Sequence, residues 1–157
     1  MSDMLKFPQD DPDFNVALSM SLVLFGFDGN QLQLLLARSQ RAPYEGALLL
    51  PSRYLEAQDE LALSARSMFH GLFGYDDPEI IEQLKAFGGV FRHPMGRVVN
   101  VAFYALVRKE DFLAEKWESH GMQWVPIDRV PDLAFDHNEV VSYARERLKR
   151  RVKRRPV

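Results

Sequence analysis

From Asn15 to Phe27 the chain reads NVALSMSLVLFGF, an apolar run interrupted at Ser19 and Ser21, which predicts a strand with one wetter face. Asp28-Gly29-Asn30 is a turn signal and Gln31 to Arg38 returns apolar, so the first two strands form a hairpin. Ser39 to Gly46 reads as a loop, and Ala47 to Leu50 as a short buried strand that breaks at Pro51. A further loop leads to Gln58 or Asp59, where a helix begins. Leu61, Ala65, Met68, Phe69 and Leu72 then follow 3.6-residue spacing, and Gly74 fits a C-terminal stop. That spacing makes the stripe core, with His70 beside it structural or on the surface. Ile80 to Gly89, extended toward its end, precedes a polar turn, Arg92 to Arg97, and the long apolar run Val98 to Val107. These predict a second hairpin with Arg92 and Arg97 near its mouth. Lys109 to His120 reads as a loop or short helix, and Met122 to Ile127 as an edge strand, because Pro126 lacks a donor. The last element runs from His137 to Arg154, with Val140, Val141, Ala144 and Leu148 on one stripe.

A chain of 157 residues with 46% hydrophobic and 27% charged residues suits one soluble domain with an ordinary core. No apolar stretch reaches the roughly 18 residues of a membrane span, and the acidic, Pro-broken start MSDMLKFPQDDPDF is no signal peptide. The expected location is cytoplasmic, with no membrane partner. The absence of Cys excludes disulfides, thiolate metal sites and a Cys nucleophile. The four His lack metal-ligand spacing, so no zinc site is expected. The net charge of −2 is uneven: residues 145–157 hold eight of the 20 Lys and Arg but one of the 22 Asp and Glu, leaving −9 for the rest. An acidic body offers no general field for nucleic acid. The basic tail either contacts phosphates, leads into a basic neighbour, or is a solvated helix face.

The stretch ALLLPSRYLEAQDELALSARSMFHGLFG, Ala47 to Gly74, keeps the frame of a Nudix box. In that motif a Gly is followed by five residues and a Glu, then seven residues, Arg-Glu, an apolar residue, any residue, Glu-Glu, any residue and Gly. Laid on without a gap, the first Gly falls on Arg53, the Glu on Asp59, Arg-Glu on Ser67-Met68, Glu-Glu on Gly71-Leu72 and the last Gly on Gly74. Two later stretches, FGGVFRHPMGRVVNVAFYALV (Phe87 to Val107) and WVPIDRVPDLAFDHNEVV (Trp124 to Val141), join LLLARS (Leu34 to Ser39) in the likeness. Over residues 14 to 150 the chain resembles the Nudix domain of the Nudix-related transcriptional regulators of NAD metabolism and their ADP-ribose-hydrolysing relatives.

The resemblance implies an α/β fold, an α/β/α sandwich around a mixed sheet, and an ADP-ribose-like effector that is sensed rather than cleaved. In the family the helix carboxylates, at i, i+3 and i+4 on one face, hold Mg²⁺ against a pyrophosphate. Here those positions carry Met68, Gly71 and Leu72, so no catalytic residue, metal or cofactor is expected. The resemblance also implies a homodimer, and DNA contact only through a winged-helix domain absent from this chain. Residues 1–13 would be a flexible arm, 14–150 the ligand-binding domain and 151–157 a basic tail leading onward.

Candidate ligand residues are Arg38, Arg53, Arg92, Arg97, Asp136 and His137. A guanidinium offers forked donors to phosphate oxygens, which suits the four Arg; each also fits a solvated loop or hairpin tip. Asp136 fits an N-cap of the last helix, and His137 either meets a ribose or adenine edge or is structural. Two other functions use the same scaffold. One is a sugar-sensing regulator domain. The other is a residual Mg²⁺-dependent nucleoside diphosphate-sugar pyrophosphohydrolase built on Glu56, Asp59 and Glu60, residues equally at home near a helix N-terminus.

Overall fold

The first apolar run becomes β1 (Ala17–Phe27), buried on both faces from Ser19 to Gly26. It is therefore a central strand, and the face expected to be wetter is buried, its serines bonded inward. The computed structural model describes residues 15–75, 77 and 80–154; the expected arm over 1–13 and the end of the basic tail lie outside the described residues.

β1 turns through Asp28, whose Oδ1 accepts the N–H groups of Asn30 and Gln31 at 3.0 Å each, into the antiparallel β2 (Leu32–Arg38). β3 (Leu48–Leu49) pairs with the far end of β2. The residues after Pro51 are not the expected loop. They form β4 (Ser52–Tyr54), antiparallel to β1 with Ser19 opposite Tyr54 and Ser21 opposite Ser52. All three β4 residues are exposed, so pairing with β1, and not burial of an apolar pattern, holds this strand.

The second predicted hairpin is β5 (Glu82–Phe87) and β6 (Val98–Arg108). β6 runs parallel to β1 over its whole length, from Ala17 opposite Val98 to Phe27 opposite Arg108. β7 (Gln123–Pro126) lies on the outside of β2, as the proline predicted. The seven strands make one mixed sheet, β3-β2-β1-β6-β5, with β4 on β1 and β7 on β2.

Strand periodicity sends alternate residues to opposite faces. Met20, Leu22, Leu24, Val101 and Phe103 pack under α1 (Leu61–Phe73), against Ala65, Phe69, Leu72 and Phe73. Val23, Phe25, Ala102 and Tyr104 pack under the last helix, against Val140, Val141 and Ala144. α1 starts later than Gln58 or Asp59, because the Asp59 carboxylate accepts the N–H of Glu56 at 2.9 Å and Arg53 at 3.4 Å instead of opening the helix. It stops at Gly74, which takes a left-handed φ of 80° and returns its N–H to His70 at 2.8 Å. The stretch 109–120 contains the single turn α2 (Ala114–Trp117), and α3 (His137–Arg154) closes the sandwich. Part of the sequence's basic tail is thus helix, anchored by Arg147 and Arg151 on Glu82. Among the described residues no helix is long and apolar enough to cross a membrane.

Gly26 makes room for Trp124, since a Cβ there would lie 2.5 Å from the indole ring. That ring is edge-on to Phe112 at 5.8 Å and cannot simply rotate away. Gly26→Ala is expected to lower unfolding free energy by about 1–3 kcal/mol, the range for overpacking, read as a lower urea midpoint with an unchanged m-value.

Candidate functional site

α3 covers the sheet from Val23 and Ala102 onward, and on that face the strands before them carry the buried polar residues Ser19, Ser21 and Asn100. Ser19 and Asn100, partners in the parallel ladder, become the floor of a cleft of about 600 Å³. Its rim comes from the loop after β2, from β4, from the β5–β6 turn and from the entry to α3.

Arg38, Arg41, Arg53 and Arg92 line this cleft, and among the described residues no Asp or Glu side chain does. Arg38 donates from Nη1 to the Gly46 carbonyl at 2.6 Å, closing the loop 39–46 against the end of β2. Arg53 reaches the cleft from the edge strand, tethered to Asp59 at 3.4 Å. Arg92 is the buried member: its side chain is 4% exposed and donates through Nε and Nη2 to the two oxygens of Asp136, at 3.0 and 2.7 Å. A two-point pair of this kind fixes the guanidinium plane while leaving its other N–H groups unspent.

His137 is 2% exposed, and its Nδ1 accepts the Leu50 N–H at 3.1 Å. The imidazole is therefore neutral with its proton on Nε2, which has no hydrogen-bond partner among the described residues and belongs to a cleft-lining side chain. Burial, then the charge of Arg92, push its pKa down to about 4 against a smaller opposing pull from Asp136.

An aromatic wall stands beside these groups. Phe135 takes a φ of 54°, a left-handed conformation that costs on the order of 1 to 3 kcal/mol for a non-glycine residue. It sits 4.9 Å from the His93 ring and edge-on to Tyr44 at 4.6 Å, with Arg92 6.0 Å over its face. His93 accepts the Met95 N–H at Nδ1, 3.1 Å, so its Nε2 proton goes to the Tyr54 hydroxyl at 2.9 Å.

The structure thus brings Arg38, Arg53, Arg92 and His137 to one cleft. Asp136 holds the N-cap position, its carbonyl accepting the Val140 N–H at 3.2 Å, but its carboxylate does not cap the helix; both carboxylate oxygens accept from Arg92, and it stands behind the cleft as that cation's holder. Arg97 does not line the cleft and donates to the Gly88 carbonyl at 2.8 Å, bracing the turn. Sequence reading missed Arg41, Tyr54, His93, Asn100 and Phe135. Only the polar interruptions of apolar strands at Ser19 and Asn100 carried a visible signal.

The positions matched to box carboxylates have other uses: Leu72 is buried, Met68 packs on the same core, and the Gly71 carbonyl accepts the Trp117 indole N–H at 2.7 Å. Among the described residues no three His, Asp or Glu side chains converge as a metal-ligand set, Glu56, Asp59 and Glu60 included.

No protein-family model matches the chain. It is 29% identical over 135 residues to the ADPR responsive transcriptional repressor NtrR of Acinetobacter baylyi, a match covering 83% of this chain and 54% of that one. The chain spans about half the length of that curated relative. The crystal structure of Shewanella oneidensis NrtR superposes with a TM-score of 0.75 at 28% identity, covering 85% of this chain and 64% of that one. The Nudix domain of the same protein, solved with ADP ribose, gives 0.68 at 26% identity, covering 85% and 88%. The chain has a Nudix-type α/β fold and resembles the NrtR-like regulators.

Two outcomes follow from the buried pair and the buried imidazole. Asp136→Ala leaves Arg92 charged and unpartnered and is expected to cost about 3–5 kcal/mol, most of it recovered in Arg92→Met/Asp136→Leu, with urea denaturation as the readout. With a folded pKa of about 4 against an ordinary 6.5, His137 stays neutral while the unfolded chain takes up a proton. Its contribution is full above pH 6.5 and is lost as pH falls toward 4, on the order of 3 kcal/mol in all; denaturation at intervals across that window, repeated on His137→Gln, isolates it.

Proposed function

We propose that this domain is a non-hydrolysing effector module that binds ADP-ribose or a closely related NAD-derived nucleotide. The observation that carries the reading is the cleft itself, lined by four Arg and, among the described residues, no carboxylate, with an aromatic wall beside them. Arg38, Arg53 and Arg92 would meet the pyrophosphate, since guanidinium N–H groups pair with phosphate oxygens. Phe135, with Tyr54 and His93, offers a face for the adenine. His137 would donate from Nε2, while Asp136 and Arg97 would act indirectly, one by holding Arg92 and the other by bracing the turn.

The non-hydrolysing part of the reading is supported by α1, whose sequence LALSARSMFHGLF contains no Asp or Glu. A pyrophosphate held here lacks the helix carboxylates that would place Mg²⁺ on it. The wider reading is that the module serves a homodimeric, DNA-binding regulator. Its effector-responsive, DNA-binding part is supported by the description of the Acinetobacter relative as ADPR responsive and by a structure of the Shewanella protein with a 27mer DNA.

Calorimetric titration with ADP-ribose, with and without Mg²⁺, tests the reading. Saturable binding that does not require the metal is expected, weakened on the order of tenfold by Arg38→Ala or Arg53→Ala, the loss of one charge-assisted hydrogen bond. A folded sample that gives no saturable heat at millimolar ADP-ribose would overturn it.

A further inference from the structure

The cleft floor holds a polar set that neither the arginines nor the aromatic wall explains. Asn100 is 1% exposed and donates through Nδ2 to Ser19 Oγ at 2.9 Å and to Ser21 Oγ at 2.8 Å. Ser52 Oγ donates to the Leu50 carbonyl at 2.9 Å, which commits its one hydrogen. In the 2.8 Å contact between Ser21 and Ser52, Ser21 must then be the donor. Among the described residues, counting protons this way leaves Ser19 with an unspent O–H and Asn100 Oδ1 with no partner. Rotating the amide by half a turn does not repair this, because it puts two unpartnered N–H hydrogens where the oxygen was. A buried amide oxygen without a partner is destabilising unless something bound there meets it.

We propose that Asn100 and Ser19 form a hydroxyl-reading subsite, in which one sugar hydroxyl donates to Asn100 Oδ1 and accepts from the Ser19 O–H. The two residues are direct partners in the β1–β6 ladder and both line the cleft, so one oxygen can lie between them. The chemistry selects the ligand class. An ionised phosphate oxygen has no proton for Oδ1 and would be repelled by it. An exocyclic amine donates to Oδ1 but gives Ser19 no good acceptor. A hydroxyl does both. In the nucleotide reading above, on which this identification rests, the group is a ribose hydroxyl; the subsite itself requires only a polyol.

The test compares wild type, Ser19→Ala and Ser19→Thr against ADP-ribose, free D-ribose and inorganic pyrophosphate, by calorimetry and thermal shift. Ser19→Ala is expected to weaken ADP-ribose on the order of tenfold, to abolish any thermal shift from ribose, and to leave pyrophosphate unchanged; Ser19→Thr restores the hydroxyl and the affinity. Unchanged ADP-ribose binding in Ser19→Ala would overturn the subsite while leaving the nucleotide reading intact. Equal weakening of ADP-ribose and pyrophosphate would overturn it too, exposing a purely structural role. A wild-type response to ribose that Ser19→Ala loses, without any response to ADP-ribose, would uphold the subsite and remove the nucleotide. Silence of the wild type toward both sugars would remove both.

Discussion

The parallel pairing of β1 with β6 along all eleven residues of each is the constraint on which the rest depends. Side chains alternate faces with a period of two, so a slip of one residue would send every β6 side chain to the wrong side. In the observed register Val101 and Phe103 reach the α1 core, Ala102 and Tyr104 reach the α3 core, and Asn100 lands between Ser19 and Ser21. The same alignment that fills both layers therefore sets the polar floor of the cleft. β4 adds to that floor by pairing with β1 at Ser19 to Ser21, which brings Ser52 onto Ser21.

The cleft walls hang on two long-range ties made by adjacent residues. Asp136 holds Arg92 across 44 positions in sequence, and His137 holds Leu50 across 87. Both ties sit at the entry to α3, so the helix that closes the α3-side core also fixes the β5–β6 turn and the start of β4. Phe135, immediately before them, is forced to a left-handed backbone and presents its ring to His93. Strain at that position is sustained because the neighbouring contacts on both sides overdetermine it. The remaining cleft cations, Arg38, Arg41 and Arg53, are exposed and carry the adaptable part of the site.

Most of the element order was legible in the sequence because burial writes itself as period. The apolar stripe of α1, the stop at Gly74 and the stripe of α3 are local patterns, and the structure places each where the spacing predicts. β4 was illegible because Ser52, Arg53 and Tyr54 are all exposed, so pairing alone makes the strand. The arginines could be nominated by chemistry, but not sorted: nothing local separates Arg92, buried on Asp136, from Arg97, spent on a backbone carbonyl. Asp136 was legible as the residue that opens α3, but the use of its carboxylate was not, because Arg92 lies on a distant turn. Phe135 and Tyr54 were hidden among aromatic residues that core packing explains equally well, and only the three-dimensional arrangement shows them at the rim.

In the proposed function this cleft takes a pyrophosphate and leaves it whole. Phosphorus NMR of ADP-ribose mixed with the protein and excess Mg²⁺, followed over a day, addresses both halves in one sample. Shifted or broadened pyrophosphate resonances that keep their total intensity are expected. Growth of phosphomonoester signals would mean that the domain cleaves its ligand, and resonances unchanged by the protein would mean that it does not bind it.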